Sequence, residues 1–76
     1  MSDYELCKML EESGDPNETI KYVGESYLAG KNATDNAQLF LNLAISQAMV
    51  DVSLYGRAFV PSCLKHLKEK KSKIFK

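Results

Sequence analysis

The sequence predicts an all-α fold, a small three- to four-helix bundle around a central buried helix at about 35–51. Three observations predict it. The stretch 37–50, AQLFLNLAISQAMV, has ten apolar residues in fourteen and no charge, glycine or proline. Two helix-start signals, Ser2-Asp3-Tyr4-Glu5 and Asp15-Pro16-Asn17-Glu18, precede it, each followed by apolar residues at helical spacing. No segment of useful length alternates apolar and polar residues with the period of two that marks a strand. At 76 residues the chain is expected to be a single small helical domain, 1–76, with a basic C-terminal segment, 65–76.

In chain order, Ser2 and Glu5 read as a capping box, in which the serine hydroxyl accepts from the first turn and the glutamate reaches back. Leu6, Cys7, Met9 and Leu10 then follow helical spacing, and Gly14 is placed to end the helix in the left-handed conformation. Asp15 is the expected N-cap of the second helix, with Pro16 at the first helical position, where a missing N–H costs nothing. Ile20, Val23, Tyr27 and Leu28 form its apolar stripe, and Gly30 is its expected end. Gly24 inside that helix costs about 1 kcal/mol relative to alanine. Its expected use is close approach of a neighbour, the 37–50 helix.

Lys31-Asn32-Ala33 reads as a tight link of about four residues that makes the second and third helices antiparallel neighbours. Thr34 or Asn32 is the expected cap of the third helix, and Asp35 suits the positive end of its dipole. Positions 37, 40, 41, 44, 45, 48 and 52 make one sustained stripe, and Leu39, Leu43 and Val50 add a second. A helix with this pattern is expected to be buried on most of its circumference. A break is expected between 51 and 56, capped by Asp51 or Ser53 or terminated by Gly56, and a last helix runs to about 73. Pro61 falls in its early turns or marks a second break.

Charge is strongly divided. Residues 1–51 carry nine acids against three lysines, whereas residues 52–76 carry seven cations against Glu69 alone. The basic end is either an interaction tail or the complement of the acidic helices. Lys65, Lys68, Lys70, Lys71 and Lys73 are the candidate anion-binding residues, for the phosphates of a nucleic acid. The run contains no arginine, the usual bidentate partner of guanine, which weakens base readout. Attachment to an anionic membrane surface by the same run is a lesser expectation, and a membrane partner is not expected overall.

Chemistry lacks parts. The single histidine, His66, and the two cysteines, Cys7 and Cys63, offer three soft ligands with no metal-binding spacing and no fourth ligand, so no metal or cofactor is expected. Glycines 14, 24, 30 and 56 are dispersed, so no phosphate loop forms. Catalysis is not expected: a nucleophile needs an oriented base and an oxyanion site in a cleft, and a small bundle rarely forms one. The two cysteines are expected to be reduced thiols of a cytoplasmic protein, although they can meet if the first and last helices pack together.

Val23-Gly24-Glu25-Ser26-Tyr27, followed by Phe40, resembles the Gly-x-x-Tyr and later Phe of one tetratricopeptide hairpin over 20–50. Asn36 and Leu43 stand where that repeat has small residues, Ala48 stands where it has its closing proline, and there is no second copy. The likeness is read as generic helix-hairpin packing. The expected function is a small non-enzymatic interaction domain, adaptor or regulatory, that binds a protein partner or itself. Leu54, Tyr55 and Phe59 are the candidate partner-binding residues, and self-association runs through them or through the third helix. The alternative is a nucleic-acid-binding module that uses the basic C-terminal helix.

Overall fold

A computed structural model describes residues 1–14 and 16–76, with Pro16 in its backbone only. Among the described residues it contains four helices and no strand: α1 Asp3–Ser13, α2 Pro16–Leu28, α3 Ala37–Tyr55 and α4 Phe59–Ile74. The helices close a ring in chain order. α1 packs on α2, α2 on α3, α3 on α4 and α4 back on α1, with the most extensive contact between α3 and α4.

The helix ends follow from local chemistry. The Ser2 hydroxyl accepts from the Glu5 amide at 3.2 Å, and Gly14 closes α1 with φ +71°. The expected cap Asp15 lies outside the described residues. α3 is not capped by Thr34 or Asn32. Asn36 takes the N-cap position without a side-chain bond, the Thr34 hydroxyl donates to Lys73 O instead, and the Asn32 carbonyl accepts from Lys76 N. The central helix is also longer than 35–51 suggests at its C-terminal side, running to Tyr55. Gly56, at φ +64°, ends it, and the amides of Gly56 and Arg57 bond back to the Val52 and Asp51 carbonyls. This left-handed cap satisfies carbonyls that would otherwise lack partners. Neither Asp51 nor Ser53 starts a new helix. Pro61 is the third residue of α4, where its absent N–H would have had no intrahelical partner.

The core gathers Leu6, Cys7 and Leu10 from α1, Val23 and Tyr27 from α2, Ala37, Leu41, Ala44, Ile45 and Ala48 from α3, and Cys63, Leu67 and Ile74 from α4. Small residues on the inner side of α3 let its backbone come close to its neighbours. Gly24 does face α3, as its position inside α2 suggested. A Cβ there would lie 2.8 Å from the Gln38 amide nitrogen, so glycine makes room for that side chain.

Two ties bind the ends of the chain to this ring. The sulfurs of Cys7 and Cys63 form a disulfide between α1 and α4, with Cα atoms 6.0 Å apart and both residues fully buried. This corrects the expectation of two reduced thiols. The cytoplasmic expectation thereby loses the support it drew from cysteine usage. The second tie joins the C-terminus to the α2–α3 connection. Thr34 N donates to Ile74 O at 2.9 Å, Lys76 N to Asn32 O at 2.9 Å, and the Thr34 hydroxyl to Lys73 O at 3.0 Å. Ala33 and Phe75 thus form an isolated antiparallel bridge. The connection is longer than the expected four residues, and it serves as a dock for the end of α4.

Candidate interaction surface

α3 has two apolar faces, and only one is covered. Ala37, Leu41, Ala44, Ile45 and Ala48 turn inward. Leu39, Leu43, Val50 and Leu54 line the opposite side and are 56%, 42%, 48% and 71% exposed. Burial on most of the circumference is therefore not what the helix has: the second stripe lies in solvent. The physical reason is geometric. A helix in a four-membered ring touches two neighbours and the core, which leaves its outer arc uncovered whatever residues it carries.

The outer arc is also uncharged. Its exposed residues are Leu39, Asn42, Leu43, Ser46, Gln47, Val50, Ser53 and Leu54. Asp51, the acid nearest its end, turns toward α4 instead and meets the His66 Nε2 at 2.9 Å. That hydrogen bond, opposed by partial burial, holds the Asp51 carboxyl below its ordinary value, with Arg57 and Lys65 adding to the effect. The other ring nitrogen of His66 is buried without a hydrogen bond, although a Glu69 carboxylate oxygen comes within 3.5 Å.

The three candidate partner-binding residues are not brought to one patch. Leu54 and Tyr55 are strongly exposed at the end of α3, with the Arg57 guanidinium 5.4 Å from the centre of the Tyr55 ring. Phe59, across the Gly56 turn, is half-buried against the core. Leu54 is instead continuous with the α3 stripe. Counting four residues on from Val50 would have shown this.

The five candidate anion-binding lysines are distributed around α4. Lys71 reaches α1 and pairs with Asp3 at 3.2 Å. Lys73 turns toward α3 and sits 5.9 Å from the centre of the Phe40 ring. Lys70 is half-buried, and only Lys65 and Lys68 point away from the bundle without an ion pair among the described residues. Complementarity with the acidic body thus engages one lysine of the five by direct pairing.

That pair belongs to a small polar network. The Tyr27 hydroxyl donates to the Asp3 carboxylate at 2.5 Å, and the Lys31 ammonium lies 3.9 Å from the centre of the Tyr27 ring. Burial alone would raise the Asp3 carboxyl. Hydrogen bonds from Tyr27 and Lys71, with the charges of Lys71 and Lys31, outweigh it and hold the carboxyl below its ordinary value. Burial, then the Asp3 contact, pushes the Tyr27 hydroxyl well above its ordinary range. The adjoining depression, about 400 Å³, is wide open and lined by Gly30, Lys31, Asn32, Phe75 and Lys76.

The two sulfurs, being joined, are neither thiolate nucleophiles nor metal ligands. Among the described residues no group of three histidine, cysteine or acidic side chains is placed to hold a metal. No protein-family model matches the chain, and no curated protein or solved structure is significantly similar to it.

Proposed function

We propose that this chain is a small non-enzymatic interaction domain that binds a protein, another chain or its own, through the outer face of α3. One observation carries the reading: four aliphatic side chains stand exposed in line on a face that bears no charge. Covering each of these half-exposed side chains gains roughly 1 kcal/mol. Aligned apolar exposure of this kind marks contact surfaces rather than ordinary scattered surface residues. The reading needs no metal, cofactor or catalytic group.

Capture from native lysate on the immobilised chain tests it. A protein, foreign or identical to the bait, is expected to stay bound at high salt and to be lost when Leu43→Asp and Leu54→Asp are introduced. Capture confined to low salt and indifferent to those substitutions would overturn the reading in favour of polyanion binding by α4, because apolar contacts tolerate salt and phosphate contacts do not.

A further inference from the structure

We infer that the outer face of α3 is a homodimer interface, in which two copies of α3 lie antiparallel about a two-fold axis between Ser46 and Gln47. The inference rests on reading this face as a protein contact and commits it to one occupant, a second copy of the chain.

The pattern of the face supplies the argument. A two-fold contact must be self-complementary, with residue i meeting residue j and j meeting i. The exposed stripe has that symmetry about its own midpoint. Leu39 lies seven residues before Ser46 and Leu54 seven after Gln47, while Leu43 lies three before Ser46 and Val50 three after Gln47. In the antiparallel register Leu39 therefore meets the partner's Leu54, and Leu43 meets the partner's Val50. The aliphatic seam runs about 22 Å at 1.5 Å per residue. Ser46, small and at the centre, lets the two helices cross closely.

Charge agrees with this occupant. The face itself is neutral, and the whole chain has a formal net charge of +0, so two copies meet without repulsion. The charges that flank the face are of opposite sign at its two ends. Asp35 is exposed just before α3 and Arg57 just after it, and the antiparallel register places each beside the other's counterpart on the second copy. Antiparallel alignment also opposes the two helix dipoles favourably. A seam of this length falls short of the ~800 Å² per partner of a standard interface, so the dimer is expected to be a weak one in exchange with monomer.

Cysteine cross-linking under diamide tests the register, since the native disulfide is buried and already oxidised. Ser46→Cys is expected to cross-link with itself. Leu39→Cys and Leu54→Cys are each expected to stay uncrosslinked alone and to cross-link when the two variants are mixed. Adding Leu43→Asp is expected to cut every one of these yields at least tenfold, with helicity unchanged by circular dichroism. Asp35→Arg and Arg57→Asp are each expected to weaken the yield of Ser46→Cys, and together to restore it. Self-cross-linking of Leu39→Cys would show a parallel contact and overturn the inference. Absence of any cross-link, or a monomer that co-sediments with phosphatidylcholine vesicles through this face, would overturn it too. In the first of those cases, salt-resistant capture of a different protein would leave the interaction reading standing.

Discussion

α3 and α4 share the largest contact in the molecule, yet their outer surfaces are opposites. α4 shows solvent Lys65, Lys68 and Glu69, and its flanks are tied down by the disulfide, the Lys71–Asp3 pair and the Ile74–Thr34 bond. The outer face of α3 shows solvent four aliphatic residues and no charge, and among the described residues no covalent tie or ion pair reaches it. The difference teaches that the same helical periodicity serves two ends. In α4 the apolar positions account for the fold alone. In α3 there are more of them than a four-helix ring can cover.

The largest expected effect lies on the α4 side. The disulfide closes a loop between residues 56 apart, which by the loop-entropy relation stabilises the fold by about 4 kcal/mol. Cys7→Ser together with Cys63→Ser is expected to lower stability by about that amount, read as a shift in the urea midpoint. An unchanged midpoint would show that the α1–α4 contact holds without the bond.

Next comes a comparison inside α3. Leu41→Ala removes a fully buried side chain and is expected to cost about 3 kcal/mol through lost burial and a residual cavity. Leu39→Ala, on the outer face, is expected to cost less than about 0.5 kcal/mol in dilute monomer. Urea titrations of the two variants at low concentration check the contrast. Equal costs would mean that the outer stripe is packed within the chain.

A smaller effect sits where α4 meets α1 and α2. Asp3→Ala deletes the acceptor of Tyr27 and Lys71 and is expected to cost about 2 kcal/mol near neutral pH. The sign of its pH dependence follows from the lowered folded-state value. The stabilisation is fully present above the ordinary value of 3.8 and is lost as pH falls through the lower folded value. The difference between wild type and Asp3→Ala should therefore shrink below about pH 4, in acid titrations followed by circular dichroism. Smallest is Gly24→Ala. The gain of about 1 kcal/mol in helix propensity opposes displacement of the flexible Gln38 amide, so the midpoint is expected to move by under about 1 kcal/mol either way.

Much of the fold was legible in the sequence because its signals are local. The Ser2 cap, the Gly14 and Gly56 stops and the placement of Pro61 all depend on a few neighbouring residues. The inner stripe of α3 followed from spacing at Ala37, Leu41, Ala44, Ile45 and Ala48, whereas Val52, spaced to join it, is 39% exposed near the end of the helix. What the sequence hid is non-local. Nothing near Cys7 indicates that Cys63 on α4 lies beside it, and nothing near Thr34 indicates that its amide and hydroxyl donate to the end of α4. The candidate surface was half legible. Leu39, Leu43 and Val50 stood out as a second stripe, but composition read them as buried, because apolar content does not say how many neighbours a helix will have. Grouping Leu54 and Tyr55 with Phe59 failed for a related reason: Gly56 turns the chain between them and sends Phe59 to the core.

The central claim is that the outer face of α3 is a contact surface completed by a second copy. Sedimentation equilibrium of the wild-type chain and of Leu43→Asp, from low micromolar to about millimolar concentration, tests it most directly. The account predicts a wild-type mass that rises from monomer to dimer and a Leu43→Asp mass that stays monomeric throughout. A wild-type chain that remains a monomer across the range, or a dimer that Leu43→Asp leaves intact, would contradict it.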